Sequence, residues 1–355
     1  MERLATAKIG LIIYRSILIS AILLLASASA AAGNEEQSRE PSSEKEETSE
    51  ERPGWMERFL YWSDRPHRQV TDRLEALSRD VDSIFGEERI RAEATDTYLQ
   101  AGGGLVIERG GLLSVEEDFS LSVDLPRTER RIKLVFESEN DDDFFNEGNG
   151  DSSVSNDFRT SGGKEYSAAL QFFVRETKRW NVSLSPGLRF RTPPDPFIRL
   201  RLRRTQDLGT TWRARLTERL TEYLDRGLES RTTLEFERRT GEGQLFRLSS
   251  RILWREEFEN DNTQLSQSAV LFKRLNKRNT IAYSATVVWE TKPNLHHELY
   301  IADIRWRRRI HKKWLFLEIK PEARFDRDDH FQLDPSLTLS LEILFGRSYL
   351  QESQG

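Results

Sequence analysis

From Thr97 onward the chain alternates apolar and polar residues with a period of two, the period of a strand with two unlike faces. In Phe197–Arg203, Ile198, Leu200 and Leu202 fall on one side, and Arg199, Arg201 and Arg203 on the other. In Leu113–Leu125, Leu113, Val115, Phe119, Leu121, Val123 and Leu125 align opposite Ser114, Glu116, Asp118, Ser120, Ser122 and Asp124, and Glu117 breaks the apolar side. The alternation returns at Ile132, again in segment after segment from Glu165 to Phe325, and in Phe331–Phe345. The joints are short and polar, such as Thr177-Lys178-Arg179, Asp207-Leu208-Gly209, Gly241-Glu242-Gly243 and His311-Lys312-Lys313. No helical crossover fits in them, so neighbouring strands must pair antiparallel.

No long apolar run is present to fill a sandwich core, and most segments have about the nine to eleven residues of a tilted membrane strand. The pattern predicts an all-β chain: a closed antiparallel transmembrane β-barrel, apolar toward lipid and charged toward the lumen. Ile132 to Phe345 gives about twelve strands, and Thr97–Glu108 with Leu113–Leu125 makes about fourteen. Fourteen is favoured, because Leu113–Leu125 alternates as well as any later segment. With N- and C-termini both periplasmic, the acidic stretch Ser138–Gly163 faces outward and the turn Pro126–Glu129 faces the periplasm.

Upstream the pattern differs. Residues 1–32 read as a signal peptide: Arg3, Lys8 and Arg15, an apolar core Ser16–Ala26, and cleavage choices after Ala28, Ala30 or Ala32. The competing reading, an uncleaved membrane anchor starting at Ile9, is interrupted by Arg15. Residues 33–54 form a glutamate- and serine-rich linker with no apolar side to bury, expected to be disordered. Residues 55–86 predict short amphipathic helices. Trp55, Met56, Phe59, Leu60 and Trp62 crowd one or two turns, and after Pro66 a stripe of Val70, Leu74, Leu77, Val81 and Ile84 runs to Gly86. Such a stripe needs an apolar surface: the barrel's periplasmic mouth or interior, a periplasmic protein, a second copy, or the membrane interface. The barrel is assigned to residues 97–346 and a tail to 347–355.

Composition narrows the choices. The 355 residues carry a net charge of −5, 32% charged residues and no cysteine. A chain this polar is not a bundle of membrane helices, although a barrel remains compatible with it. Without cysteine there is no disulfide framework, no thiolate metal site and no lipid-anchored cysteine. The near-neutral balance makes no case for nucleic acid. No cofactor and no metal are expected.

The chain resembles bacterial outer-membrane β-barrels. Its last strand, with Phe331, Leu333, Leu337, Leu339, Leu341, Ile343 and Phe345 alternating to a terminal aromatic, is similar to the assembly signal of that class. The resemblance implies a Gram-negative-type outer membrane, contact with its lipid, and recognition of the last strand by the barrel-assembly machinery. The tail Gly346–Gly355 departs from the pattern, since the class usually ends at the aromatic. The resemblance is to a porin-like architecture and reaches no narrower family.

If apolar residues face lipid, Arg189, Arg191, Arg199, Arg201, Arg203, Arg213, Arg215, Arg231, Arg247 and Arg251 line one side of the lumen. Glu116, Asp118, Asp303, Glu318, Asp334 and Glu342 then form an opposing acidic wall, with Arg305 and Lys320 among them and Glu235 and Glu237 on the basic side. A basic wall favours passage of small polar anions, passive or facilitated. The competing readings are a non-conducting structural or assembly barrel filled by salt bridges, and a hydrolase using His296, His297, Asp326, Asp328, Asp329 and His330 in two outward loops. The cluster Arg307-Arg308-Arg309 with His311-Lys312-Lys313 reads as a positive periplasmic turn beside Trp306 and Trp314.

Overall fold

The computed structural model describes residues 98–124, 132–139, 165–177, 179–209, 211–256, 263–311 and 314–346. The signal peptide, linker, amphipathic helices and tail expected from the sequence lie outside the described residues. The fourteen strands are β1 (Tyr98–Ile107), β2 (Leu113–Asp124), β3 (Ile132–Glu139), β4 (Glu165–Glu176), β5 (Trp180–Phe190), β6 (Asp195–Leu208) and β7 (Trp212–Tyr223), then β8 (Gly227–Gly241), β9 (Gln244–Arg255), β10 (Thr263–Arg274), β11 (Asn279–Glu290), β12 (His296–His311), β13 (Leu315–Asp326) and β14 (Leu333–Gly346). Each pairs antiparallel with the next, and β14 pairs with β1, which closes the barrel. Closure gives every strand a neighbour on both sides, as a sheet in hydrocarbon requires.

The period-two pattern sets which side chains face the interior. On β9, Leu245, Arg247, Ser249, Arg251 and Leu253 are buried, while Phe246, Leu248, Ser250, Ile252 and Trp254 face outward. The outer wall carries exposed Leu105, Val115, Leu170, Ile304, Leu339 and Leu341. Aromatic groups mark both of its ends. At the end with the longer connections, Phe136 lies against Tyr166 and Phe190, and Tyr300 against Phe331. At the other end, Trp180 and Trp212 stack under Arg204 and Arg238, and Trp314 stacks on Phe345 at 5.2 Å. An apolar band between two aromatic girdles is the outer surface of a membrane barrel.

Two strands run further than the alternation alone suggests. β6 begins at Asp195, which pairs in register with Arg189 and also forms an ion pair with it, so the ladder continues past Phe197. β12 spans His296–His311. His296 and His297 therefore belong to a strand end and not to a loop, and Arg307, Arg308 and Arg309 to the ladder with β13 and not to a turn. The β8–β9 hairpin turns in two residues, Glu242 and Gly243, with Gly243 at φ +65, where a side chain would be strained.

Candidate functional site

The inner faces of β6, β7, β8 and β9 place charged side chains in rows across the strands. Nearest the short-turn end, Asp207, Arg213, Glu237 and Arg247 stand side by side in register. This row is ion-paired: Arg213 Nε lies 3.1 Å from Asp207 Oδ1, and Arg247 Nε donates to Glu237 Oε1 at 2.7 Å. The next row is Thr205, Arg215, Glu235 and Ser249, followed by Arg203, Thr217, Thr233 and Arg251. Then come Arg201, Arg219 and Arg231, three arginines directly opposite one another on three adjacent strands. Above them lie Arg199, Thr221, Glu229 and Arg255. Arg199 Nη1 contacts Glu137 Oε1 at 3.3 Å, and Glu229 accepts from both Arg231 (3.1 Å) and Arg255 (2.7 Å). The last row is aromatic: Phe197 faces Tyr223, over whose ring the Arg189 guanidinium sits at 4.2 Å.

Strands in a sheet lie about 4.8 Å apart, and like charges directly opposite repel. The charge along this wall is therefore graded. It is balanced at the short-turn end and strongly positive at mid-height, where the rows of Arg203 with Arg251 and of Arg201, Arg219 and Arg231 fall. Of the arginines expected on the wall, Arg189, Arg199, Arg201, Arg203, Arg213, Arg215, Arg231, Arg247 and Arg251 all lie on the inner face. Arg191 follows the end of β5 at the rim and pairs with Asp225 in the β7–β8 connection. Arg219 was missed, although the odd-numbered parity of Arg213 and Arg215 reaches it two steps further along β7.

The opposing acidic wall is not acidic as a whole. Glu318 and Glu342 are buried with Arg307 between them: Arg307 Nη1 donates to Glu318 Oε2 at 3.1 Å, and Nη2 donates to Glu342 Oε2. Gln100 donates to Glu342 and, at 3.4 Å, to Asp118, so side chains stitch the β14–β1–β2 seam. Asp303 accepts from Ser284 and lies 3.7 Å from Arg305 Nε, and Lys320 Nζ is 3.2 Å from Glu322. Asp334 is buried on the same side, and Glu116 pairs in register with Gly104. Arg305, Arg307 and Lys320 mix with the acids because buried carboxylates persist only with cationic or hydrogen-bonding partners. The separation of charge into two opposed walls is thereby corrected to one basic sector and one balanced sector.

At the end with the longer connections, a bulge between β11 and β12 brings Glu290, His296 and Glu298 together, their ligand atoms within 4.8 Å of one another. Glu298, Asp326 and Asp328 form a second such group. His296 Nδ1 is 2.6 Å from the Asn294 carbonyl, and its Nε2 is 3.2 Å from Glu298 Oε2. The two rim hairpins thus meet through Glu298, which the sequence reading did not include. An imidazole among carboxylates suits a divalent cation. His297 stands apart, its ring between Trp289 and Tyr300.

Closed sheet, apolar band, girdles and charged interior together define a fourteen-stranded antiparallel transmembrane β-barrel. No family model matches the sequence, and no curated protein does. Among solved structures the barrel is similar to the outer membrane channel DcaP of Acinetobacter baumannii, with TM-score 0.40, 9% identity, and 70% of this chain and 96% of that one covered. It is also similar to OprB of Pseudomonas putida, with TM-score 0.44, 8% identity, and 74% and 97% covered. A loop-deleted OmpT, an outer membrane protein of Vibrio cholerae, gives TM-score 0.44, 8% identity, and 70% and 98% covered. The assignment as a transmembrane barrel rests on its own surface and interior.

Proposed function

We propose that this barrel is an outer-membrane channel for small polar solutes, with a preference for anions set by the basic sector of β6–β9. The observation that carries the reading is the row Arg201, Arg219, Arg231. Three guanidinium groups on adjacent strands repel one another, Glu229 offsets part of this at Arg231, and carboxylate or phosphate groups of a solute would add to that compensation. Planar guanidinium groups also pair with such oxygens in bidentate fashion. The balanced row at the short-turn end supports release, since conduction needs binding that is favourable at some positions and weak at others. In this reading the longer connections face outward and the short turns face the periplasm.

The test is conductance of the purified, folded protein in planar bilayers under a salt gradient. The reading expects open conductance with a reversal potential on the anion side. A second reading, a non-conducting structural or assembly barrel whose N-terminal helices dock a periplasmic protein, is favoured by the closed Arg307–Glu318–Glu342 cluster. Folded protein with no conductance selects that second reading.

A further inference from the structure

The outward face of β7–β10 breaks the rule that the rest of the wall keeps. Around β11–β14 and β1–β5, the outward positions at mid-strand are aliphatic or aromatic apart from Gly103 of β1 and its register partner Glu117 of β2. On β7–β10 the same positions hold Glu218, Ser230, Thr232, Ser250 and Gln267. Glu218 lies between Leu216 and Leu220 on the outward side of β7 and pairs in register with Thr232. Ser230 Oγ donates to Glu218 Oε1 at 3.0 Å, and Thr232 Oγ1 donates to Oε2 at 2.6 Å. Ser250 Oγ donates to Gln267 Oε1 at 2.8 Å. The Glu218 carboxylate is thereby tied to β8 and does not extend toward either aqueous interface. Hydrocarbon offers no partner to a carboxylate, three hydroxyls and a carboxamide held in one patch.

We propose that this sector of the wall is covered by a second copy of the chain instead of lipid. The patch is self-complementary. Its β7 edge presents a carboxylate acceptor, its β10 edge a carboxamide whose NH2 group is a donor, and the two strands between them hydroxyls that serve as either. Two barrels inserted in the same direction are related by an axis along the membrane normal, and a two-fold interface uses the same patch twice. An axis between β8 and β9 sets Glu218 against Gln267 of the second copy, and Ser230 and Thr232 against Ser250 of the second copy. Leu234, Leu248 and Ile252 around these groups supply the apolar remainder of the contact.

The chain has no cysteine, so Ser250→Cys introduces its sole thiol at the centre of the patch. Treatment of outer membranes carrying this variant with a short bifunctional thiol-reactive cross-linker is expected to give a product of twice the monomer mass. Leu105→Cys, exposed on β1 far round the wall, is expected to give none. In detergent, sedimentation of the double variant Glu218→Leu/Gln267→Leu is expected to show self-association about tenfold weaker than wild type, with the heat-modifiable migration of a folded barrel retained. A folded Ser250→Cys protein that stays monomeric on cross-linking overturns the proposal. So does a cross-linked product containing any other protein, or a double variant that associates as strongly as wild type.

Discussion

Arg307 is fully buried, and its two terminal guanidinium nitrogens, Nη1 and Nη2, are committed to Glu318 and Glu342. Removing the cation would leave two buried carboxylates without it, one on each of the last two strands. Breaking a buried pair in this way costs about 3–5 kcal/mol, more than the pair itself contributes. Arg307→Gln is therefore expected to lower the unfolding midpoint in detergent sharply. Arg307→Gln combined with Glu318→Gln and Glu342→Gln should recover most of the loss, because no unpaired charge remains. A triple variant as unstable as the single one would show that the arginine matters through its packing, where it lies 4.9 Å over the Phe316 ring. This residue was hidden in the sequence by its neighbours. A run of basic residues before a turn reads as a surface cluster, while the alternation of Trp306 and Arg308 outward with Arg307 inward appears only once the ladder to β13 fixes the strand's length.

At the scale of elements, the strands themselves were legible and their ends were not. Alternation requires one face in lipid and one away from it, so it shows wherever a strand crosses the bilayer. Beyond the bilayer, pairing continues without that constraint, as in β6 from Asp195 and β12 from His296, and the sequence signal fades. Close approaches are equally silent in a pattern of apolar and polar residues. Gly187 on β5 lies opposite Phe197 on β6, and a Cβ there would sit 2.4 Å from Phe197 Cζ and 2.8 Å from the Ala168 carbonyl oxygen. The ring can move but the carbonyl belongs to the β4 ladder. Gly187→Ala should cost about 1–3 kcal/mol, read as a lower thermal midpoint of the folded barrel. Adding Phe197→Leu should restore only part of it, because the backbone contact remains. Full recovery would place the whole effect in the ring.

At the scale of the whole molecule, the arginine wall was legible as a set but its rows were not. Which arginines stand side by side depends on register, and register depends on turn length. The connection after Leu208 sets Arg201 opposite Arg219, and the one after Tyr223 sets Arg219 opposite Arg231. Inner and outer faces of the same wall should then respond to substitution in opposite ways. Arg201→Gln, Arg219→Gln and Arg231→Gln together keep a polar inner face and remove three charges. Within about 8 Å, the Debye length at physiological salt, fixed charges act on a passing ion with little screening. Glu229 keeps Arg255 as a partner when Arg231 is replaced, so the triple variant should still fold, and its reversal potential under a salt gradient should move toward cations. In 1 M salt, where the screening length falls to about 3 Å, wild type and variant should converge. Leu341→Arg, on the exposed outer face of β14, meets hydrocarbon instead. It should cost about 2–4 kcal/mol at mid-membrane and lower the folded fraction in the outer membrane, while the molecules that do fold conduct with unchanged selectivity. A Leu341→Arg protein that folds as well as wild type would contradict the lipid-facing register of β14. Conducting wild type and triple variant with the same reversal potential would show that the arginines brace the wall without selecting the solute.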